Sequence, residues 1–193
     1  MGKIEEANNK KQKKKRKRLL FRSILLAIMF GALLFAVISS LSGDSKQVEV
    51  GDQAPNFQLK QVNGENGGQA VTFEQFKGKG IMLNFWATWC PPCEAEMPYM
   101  QSLYPEYKEK GVEILAVSSD DTEKVIHDFI DKHDLTFPVL HDKKEEVFNQ
   151  YGVLSYPTSL FINPEGEVVE IVEGPLTLER LEEYFQQIVP ENG

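Results

Sequence analysis

Two cysteines, Cys90 and Cys93, are the residues of this 193-residue chain whose type and spacing could do chemistry. They are its only cysteines, and Pro91 and Pro92 separate them. Cysteines at this spacing in the first turn of a helix lie close enough to form a redox-active disulfide. The positive end of the helix stabilises a thiolate and lowers the pKa of the first thiol. The spacing therefore predicts thiol-disulfide exchange, with Cys90 as the attacking nucleophile and Cys93 as the more buried thiol that resolves the mixed disulfide.

Three other uses of a cysteine pair fit this sequence less well. An inert disulfide that closes so short a loop would stabilise the fold little in the chain-entropy view. Structural zinc needs about four protein ligands, and the spacing of His127 and His133 points them in different directions on a helix. Covalent haem attachment needs a histidine directly after Cys93, where the chain has Glu94. We expect no metal and no cofactor, and we expect the histidines to be solvated surface groups.

A buried strand and an amphipathic helix are predicted on either side of the cysteines. Residues 81–86 are nearly all apolar, as in a strand that is covered on both faces. Apolar residues after the cysteines recur every three or four positions, which indicates one helix face: Met97, Met100, Leu103, Tyr104 and Tyr107. Prolines are tolerated in a first helical turn because its N–H groups lack intrahelical acceptors. The cysteines are therefore predicted where the strand ends and the helix begins.

The remainder of the chain after residue 50 alternates between strand and helix patterns. Strands are predicted at 57–60, 69–71, 112–117, 159–162 and 168–172, and helices around 125–130, 145–151 and 177–188. We expect Asp120 or Asp121 to cap the first of these helices and Thr177 to begin the last. The alternation predicts an α/β domain with a mainly parallel sheet between helices, to which a final hairpin adds an antiparallel edge. The central sheet is therefore expected to be mixed.

Charge divides the chain into a basic beginning and an acidic body. Residues 1–23 carry ten Lys and Arg against two Glu, whereas the remaining 170 residues carry 11 basic and 27 acidic side chains. An acidic body disfavours nucleic acid as a partner, because phosphate binding needs a basic surface.

An apolar segment follows the basic residues. Between Leu19 and Ser42 the only charge is Arg22, and 20 to 22 helical residues match a hydrocarbon core of about 30 Å. This apolar segment is longer than the roughly 7–15 apolar residues of a cleaved signal peptide, which favours an uncleaved anchor. Positive charge that flanks a first membrane span stays on the cytoplasmic side, so the acidic body is expected outside. The sequence predicts a basic cytoplasmic tail (1–18), a transmembrane signal-anchor in contact with membrane lipid (19–42), a linker (43–50) and an extracytoplasmic domain (51–193). The protein would thus be a single-pass cell-membrane protein.

The sequence of residues 85–98, FWATWCPPCEAEMP, resembles the membrane-anchored thioredoxin-like oxidoreductases of the TlpA type. The resemblance covers about residues 50–189, with further matches at 51–57, 111–114, 151–153 and 156–158. It implies a thioredoxin-like fold and thiol-disulfide oxidoreductase activity. It also implies that Pro157 is cis and faces the cysteines, and that Glu96 is a functional acid or base for the thiols. Helix geometry is consistent with this role, because Glu96 lies about 60° from Cys93 around the helix axis and the neighbouring Glu94 about 100°.

The resemblance also implies a substrate and an electron source. The protein would reduce the Cys-x-x-Cys-His disulfide of apocytochrome c so that haem can attach. Alternatively, it would reduce a disulfide of another extracytoplasmic protein. A CcdA-like membrane electron carrier would re-reduce its cysteines. We assign Trp86 to the core and expect the substrate to face five residues: Trp89, Pro91, Pro92, Tyr156 and Pro157.

Three further functions remain to be compared with this one. The Pro91-Pro92 pair departs from the Glu-Pro pair that is frequent in such proteins, and resembles a related sporulation oxidoreductase that reduces cell-wall synthesis enzymes. Peroxiredoxins carry threonine three positions before the reactive cysteine, where this chain has Ala87. A Sco-type copper-delivery module shares the anchor and fold, but needs three residues between its cysteines and a distal histidine.

Overall fold

The computed structural model describes residues 21–26, 28–35 and 47–191. The chain divides into two units, Met1–Asp44 and Ser45–Gly193. In the first unit, residues 21–26 and 28–35 are helical with exposed side chains. None of the helices within the described ranges is long and apolar enough to cross a membrane. The predicted cytoplasmic tail, residues 19–20, 27 and 36–42 of the predicted anchor, and residues 43–46 of the predicted linker lie outside the described residues.

The second unit is built on one sheet of seven strands among its described residues. These are β1 (Gln58–Gln61), β2 (Ala70–Thr72), β3 (Gly80–Trp86), β4 (Val112–Ser118), β5 (Val139–His141), β6 (Thr158–Ile162) and β7 (Val168–Glu173). Their order across the sheet is β2-β1-β5-β4-β3-β6-β7. All seven residues of β3 and of β4 are buried, so the predicted covering of the strand at 81–86 on both faces is confirmed.

The sheet is mixed, but the expectation that it is mainly parallel is wrong. Only β3 with β4 and β4 with β5 pair in parallel, and the other four pairs are antiparallel. A parallel crossover needs a connection that returns the chain along the full length of a strand. The helix between β5 and β6 has five residues, which span only about 7.5 Å. The chain therefore enters β6 in the opposite direction.

The described residues of the second unit also form four α-helices: α1 (Pro91–Glu109), α2 (Glu123–His133), α3 (Glu146–Gln150) and α4 (Leu178–Ile188). A short 3-10 helix spans Phe73–Phe76. Buried side chains of α1, α2 and α4 pack with Met82 and Trp86 of β3. Alternate β3 side chains, at 81, 83 and 85, pack on the other face with α3 and the 3-10 helix. Asn84 shares the alternation of Met82 and Trp86 and so faces α1.

The ends of several elements differ from the sequence predictions. Thr122, rather than Asp120 or Asp121, precedes the first turn of α2, because the Asp120 carboxylate is bonded elsewhere. Thr177 caps α4 as predicted, since its hydroxyl accepts the N–H of Arg180. Neither β5 nor the 3-10 helix was predicted. The packed core also reaches back to Val48, within the segment assigned to the linker.

Candidate active site

Cys90 and Cys93 form a disulfide at the start of α1. Their Cα atoms are 5.3 Å apart, and the Cys90 Sγ accepts the backbone N–H of Cys93 at 3.2 Å. Cys90 is 4% exposed and Cys93 is fully buried, which is the predicted order of accessibility. Pro91 and Pro92 occupy the first two helical positions and are exposed. The pair is thus built for reversible oxidation at a helix N-terminus, where Cys90 is the sulfur closer to solvent.

The loop that leads from β3 to Cys90 is held by a buried carboxylate. Asp120 accepts hydrogen bonds from the Thr88 backbone N–H at 2.9 Å and from the Thr88 hydroxyl at 2.6 Å. Its Oδ2 atom also accepts the Ser118 hydroxyl at 2.7 Å. Because Asp120 lies two residues after the end of β4 and is bonded to Ser118 in that strand, these bonds tie the cysteine loop to the neighbouring parallel strand. This explains why Asp120 does not cap α2.

A second loop, which contains the cis Tyr156–Pro157 peptide bond, lies beside the cysteine loop. The cis geometry that the resemblance implied is confirmed. The Tyr156 ring meets the Trp89 ring edge-on with centroids 5.6 Å apart, and its hydroxyl is hydrogen-bonded to that of Ser119. Pro157 is buried, and its carbonyl accepts the Gly174 N–H at 2.8 Å. Trp89 and Tyr156 therefore join the two loops into one surface next to the disulfide.

The two tryptophans of this region have different environments. Trp86 is completely buried and its ring packs 4.7 Å from that of Phe129, which confirms its assignment to the core. Trp89 is 68% exposed. Leu154, two residues before Tyr156, is 80% exposed. Exposed apolar side chains near the disulfide offer a contact surface for a protein substrate.

Glu96 is fully buried on α1 and faces the interior of the fold. Its Oε1 accepts a hydrogen bond from the Asn84 side-chain amide at 2.8 Å, and its Oε2 accepts the Leu176 backbone N–H at 3.0 Å. Burial raises the pKa of Glu96 from an ordinary 4.5 to about 7, although both hydrogen bonds act in the opposite direction. A carboxyl group with this pKa can both accept and release a proton near neutral pH.

Glu94, by contrast, points away from this interior. Its carboxylate pairs with Lys132 at 2.6 Å and with His133 at 3.0 Å on α2. The Lys132 ammonium group lowers the pKa of Glu94 below its ordinary value. His133 and His141 are partly buried and hydrogen-bonded, so the expectation of solvated histidines holds only for the exposed His127. His133 is hydrogen-bonded to the Glu94 carboxylate and His141 to the Asp120 carbonyl, and both partners are distant in sequence.

Several residues at the site were not predicted from the sequence. Asn84 and Leu176 donate hydrogen bonds to Glu96, Ser159 accepts one from Asn84, and Asp120 holds the cysteine loop. An asparagine within the apolar run 81–86 was a signal that could have been used, since a buried amide needs partners. No metal-binding cluster of three or more His, Cys, Asp or Glu side chains occurs in the described parts of the chain.

The fold and the disulfide together define a thioredoxin-like thiol-disulfide oxidoreductase. The AhpC/TSA family profile matches residues 50–171. The thiol-disulfide oxidoreductase ResA of Oceanobacillus iheyensis is 56% identical over 190 residues, which cover 98% of this chain and 99% of that relative. ResA of Bacillus cereus (strain ATCC 10987 / NRS 248) is 46% identical over 173 residues, covering 90% of this chain and 98% of the relative.

Solved structures agree with this class. The thioredoxin domain of a thiol-disulfide oxidoreductase from Bacteroides vulgatus has a TM-score of 0.63 at 26% identity, covering 72% of this chain and 99% of that one. StoA from Bacillus subtilis has a TM-score of 0.58 at 34% identity, covering 68% and 96%. The chain belongs to the AhpC/TSA family, as a ResA-like thiol-disulfide oxidoreductase. Such enzymes act on disulfide-containing protein substrates.

Proposed function

We propose that this protein is a reductant of protein disulfides on the outer side of the cell membrane, and that its substrate is the Cys-x-x-Cys-His disulfide of apocytochrome c. The observation that carries the assignment to thiol-disulfide exchange is the position of the Cys90–Cys93 pair, and the direction of electron flow rests on the TlpA-type resemblance. The pair lies at a helix start, beside the exposed Trp89 and close in sequence to a buried carboxyl group that titrates near pH 7. The substrate assignment rests on the TlpA-type resemblance of residues 85–98.

The reaction passes two electrons from the dithiol to the substrate. The Cys90 thiolate attacks one sulfur of the substrate disulfide, which forms a mixed disulfide and releases the first substrate thiolate. Cys93 then loses its proton and attacks the Cys90 sulfur. The Cys90–Cys93 disulfide forms, the second substrate thiolate leaves, and both substrate sulfurs end as thiols after taking up protons.

Glu96 is the group we assign to proton transfer in this reaction. Cys93 must become a thiolate in a buried site, and Glu96 lies one helical turn after it on α1. Because the pKa of Glu96 is about 7, the ionised carboxylate can accept the Cys93 proton and return it to a leaving thiolate. Glu94 is unsuited to this role, since its carboxylate is engaged by Lys132 and His133.

The proposed location and electron supply follow from the N-terminal segment. Apolar side chains on helical residues 21–26 and 28–35 are exposed, including Phe21, Ile24 and Leu33, and exposed apolar surfaces of this kind are typical of membrane contacts. With the basic residues held in the cytoplasm, the disulfide would be out of reach of cytoplasmic thioredoxin, and a CcdA-like membrane carrier would supply the two electrons. A membrane-impermeant maleimide applied to intact protoplasts should label reduced Cys90. Labelling only after lysis would reject this topology.

Trapping the substrate in cells tests the proposed function. Cys93→Ser should accumulate a mixed disulfide between Cys90 and the substrate, because the resolving thiol is absent. Mass spectrometry should identify a Cys-x-x-Cys-His peptide as the partner. The Cys90→Ser, Cys93→Ser double variant is the matched control and should trap nothing. Recovery of cell-wall synthesis enzymes instead of cytochromes would overturn the substrate assignment and favour the second candidate, which is suggested by Pro91-Pro92.

A further inference from the structure

Asn84 is a polar residue in the centre of a buried apolar strand. The other side chains of β3 between 81 and 86 are apolar, and Asn84 has no exposed surface. Its amide donates to Glu96 Oε1 at 2.8 Å and to the hydroxyl of Ser159 on β6 at 3.0 Å. Its own Oδ1 is buried without a hydrogen-bond partner. A buried amide with an unpaired oxygen costs stability. The two hydrogen bonds that the Asn84 amide donates are therefore the feature that explains why an asparagine occupies this position.

From this geometry we infer that Asn84 is a positioning residue that sets the balance between the ionised and protonated forms of Glu96. This inference rests on the proposed role of Glu96 in proton transfer. The amide can donate to the carboxylate from one side while the Leu176 N–H donates from the other. Ser159 lies directly across from Asn84 in the β3–β6 pairing, and its hydroxyl accepts a second hydrogen bond from the same amide.

Among the described residues, Asn84 is the one side chain that is hydrogen-bonded to Glu96. In the described parts of the chain, no charged side chain forms an ion pair with Glu96. Cys90 and Cys93 are bonded to each other on the same helix, and Arg180 and Tyr184 of α4 are hydrogen-bonded to each other. Burial favours the protonated form of Glu96, and the two hydrogen bonds favour the ionised form. Removing the Asn84 donor should therefore displace the equilibrium toward the protonated form.

The direct test is a titration of the Glu96 carboxyl carbon by NMR. The full-length oxidised chain is labelled with glutamate carrying ¹³C at the side-chain carboxyl, and Glu96→Gln identifies the signal. Asn84→Leu should raise the midpoint by about one to two pH units, the value expected for one hydrogen bond to a charged group. Ser159→Ala is the matched control: it removes the other acceptor of the same amide and should leave the midpoint unchanged.

Two further variants keep the test decisive. If Asn84→Leu does not fold, Asn84→Val removes the same donor with a side chain that suits a buried strand, and it should raise the midpoint in the same way. In the thiol-exchange assay, Asn84→Leu should move the pH profile in the same direction, and should have no such effect in a Glu96→Gln background. An unchanged midpoint in the Asn84 variants, or an equal shift in Ser159→Ala, would overturn the inference. Because no substrate enters the titration, its outcome is independent of whether apocytochrome c is the substrate.

Discussion

Replacing Glu96 by Gln should remove a pH-dependent loss of stability. The ordinary pKa of a glutamate in an unfolded chain is near 4.5, whereas burial raises that of Glu96 to about 7 in the folded protein. Between these values the unfolded chain has released the proton and the folded chain keeps it. The free energy of unfolding therefore falls as pH rises through this window. A difference of about 2.5 pH units corresponds to about 3 kcal/mol.

Denaturant unfolding of the oxidised chain at a series of pH values measures this effect. The difference in unfolding free energy between Glu96→Gln and wild type should grow by about 3 kcal/mol from pH 4.5 to about pH 8. The change from Glu to Gln at the hydrogen bonds from Asn84 and Leu176 adds an offset that does not depend on pH. Glu94→Gln is the control and should show no growth across pH 5–8, because a lowered pKa places its titration below this range. A constant difference for Glu96→Gln would refute the argument that burial controls this carboxyl group.

The other predictions concern thiol exchange and the loops around it. Cys90→Ser should abolish reduction of a disulfide peptide, whereas Cys93→Ser should give one stoichiometric mixed disulfide and no turnover, which mass spectrometry distinguishes; full turnover in either variant would contradict the assigned roles. Trp89→Ala should raise KM for a protein substrate and leave the alkylation rate of Cys90 by a small reagent unchanged, because the ring is 68% exposed; an equal effect on both would argue against a substrate contact. Asp120→Ala should lower the free energy of unfolding by about 1–3 kcal/mol, since it leaves the two Thr88 donors without an acceptor. An unchanged denaturation midpoint would show that the Asp120–Thr88 hydrogen bonds contribute nothing to stability.

The sequence was sufficient for the elements that have strong periodicity. The apolar run at 81–86 and the spacing of Met97, Met100 and Tyr104 predicted β3 and α1, and the cysteines lie between them as expected. Strand β5 has only three residues and follows Pro138, so its pattern was too short to recognise. The direction of each strand was harder to predict than its position, because direction depends on the length and structure of the connection that precedes the strand.

The sequence predicted only those features of the site that depend on the spacing of residues along one helix. Glu96 and Glu94 were separated correctly by helix geometry, and the structure gives them different partners. The partners themselves come from remote parts of the chain. Leu176 contributes a backbone N–H, which carries no signature of residue type, and Asn84 projects from a different strand. Without the tertiary structure, nothing connects them to a carboxyl group on α1.

The redox state of the cysteines in cells tests the central claim most directly. Acid trapping followed by thiol alkylation would report the fraction of Cys90 and Cys93 present as a dithiol, in cells with and without the membrane electron donor. A reductant should be mostly dithiol when the donor is present and should accumulate as the Cys90–Cys93 disulfide when it is absent. A protein that is mostly disulfide in both strains would be an oxidant, and would contradict this account.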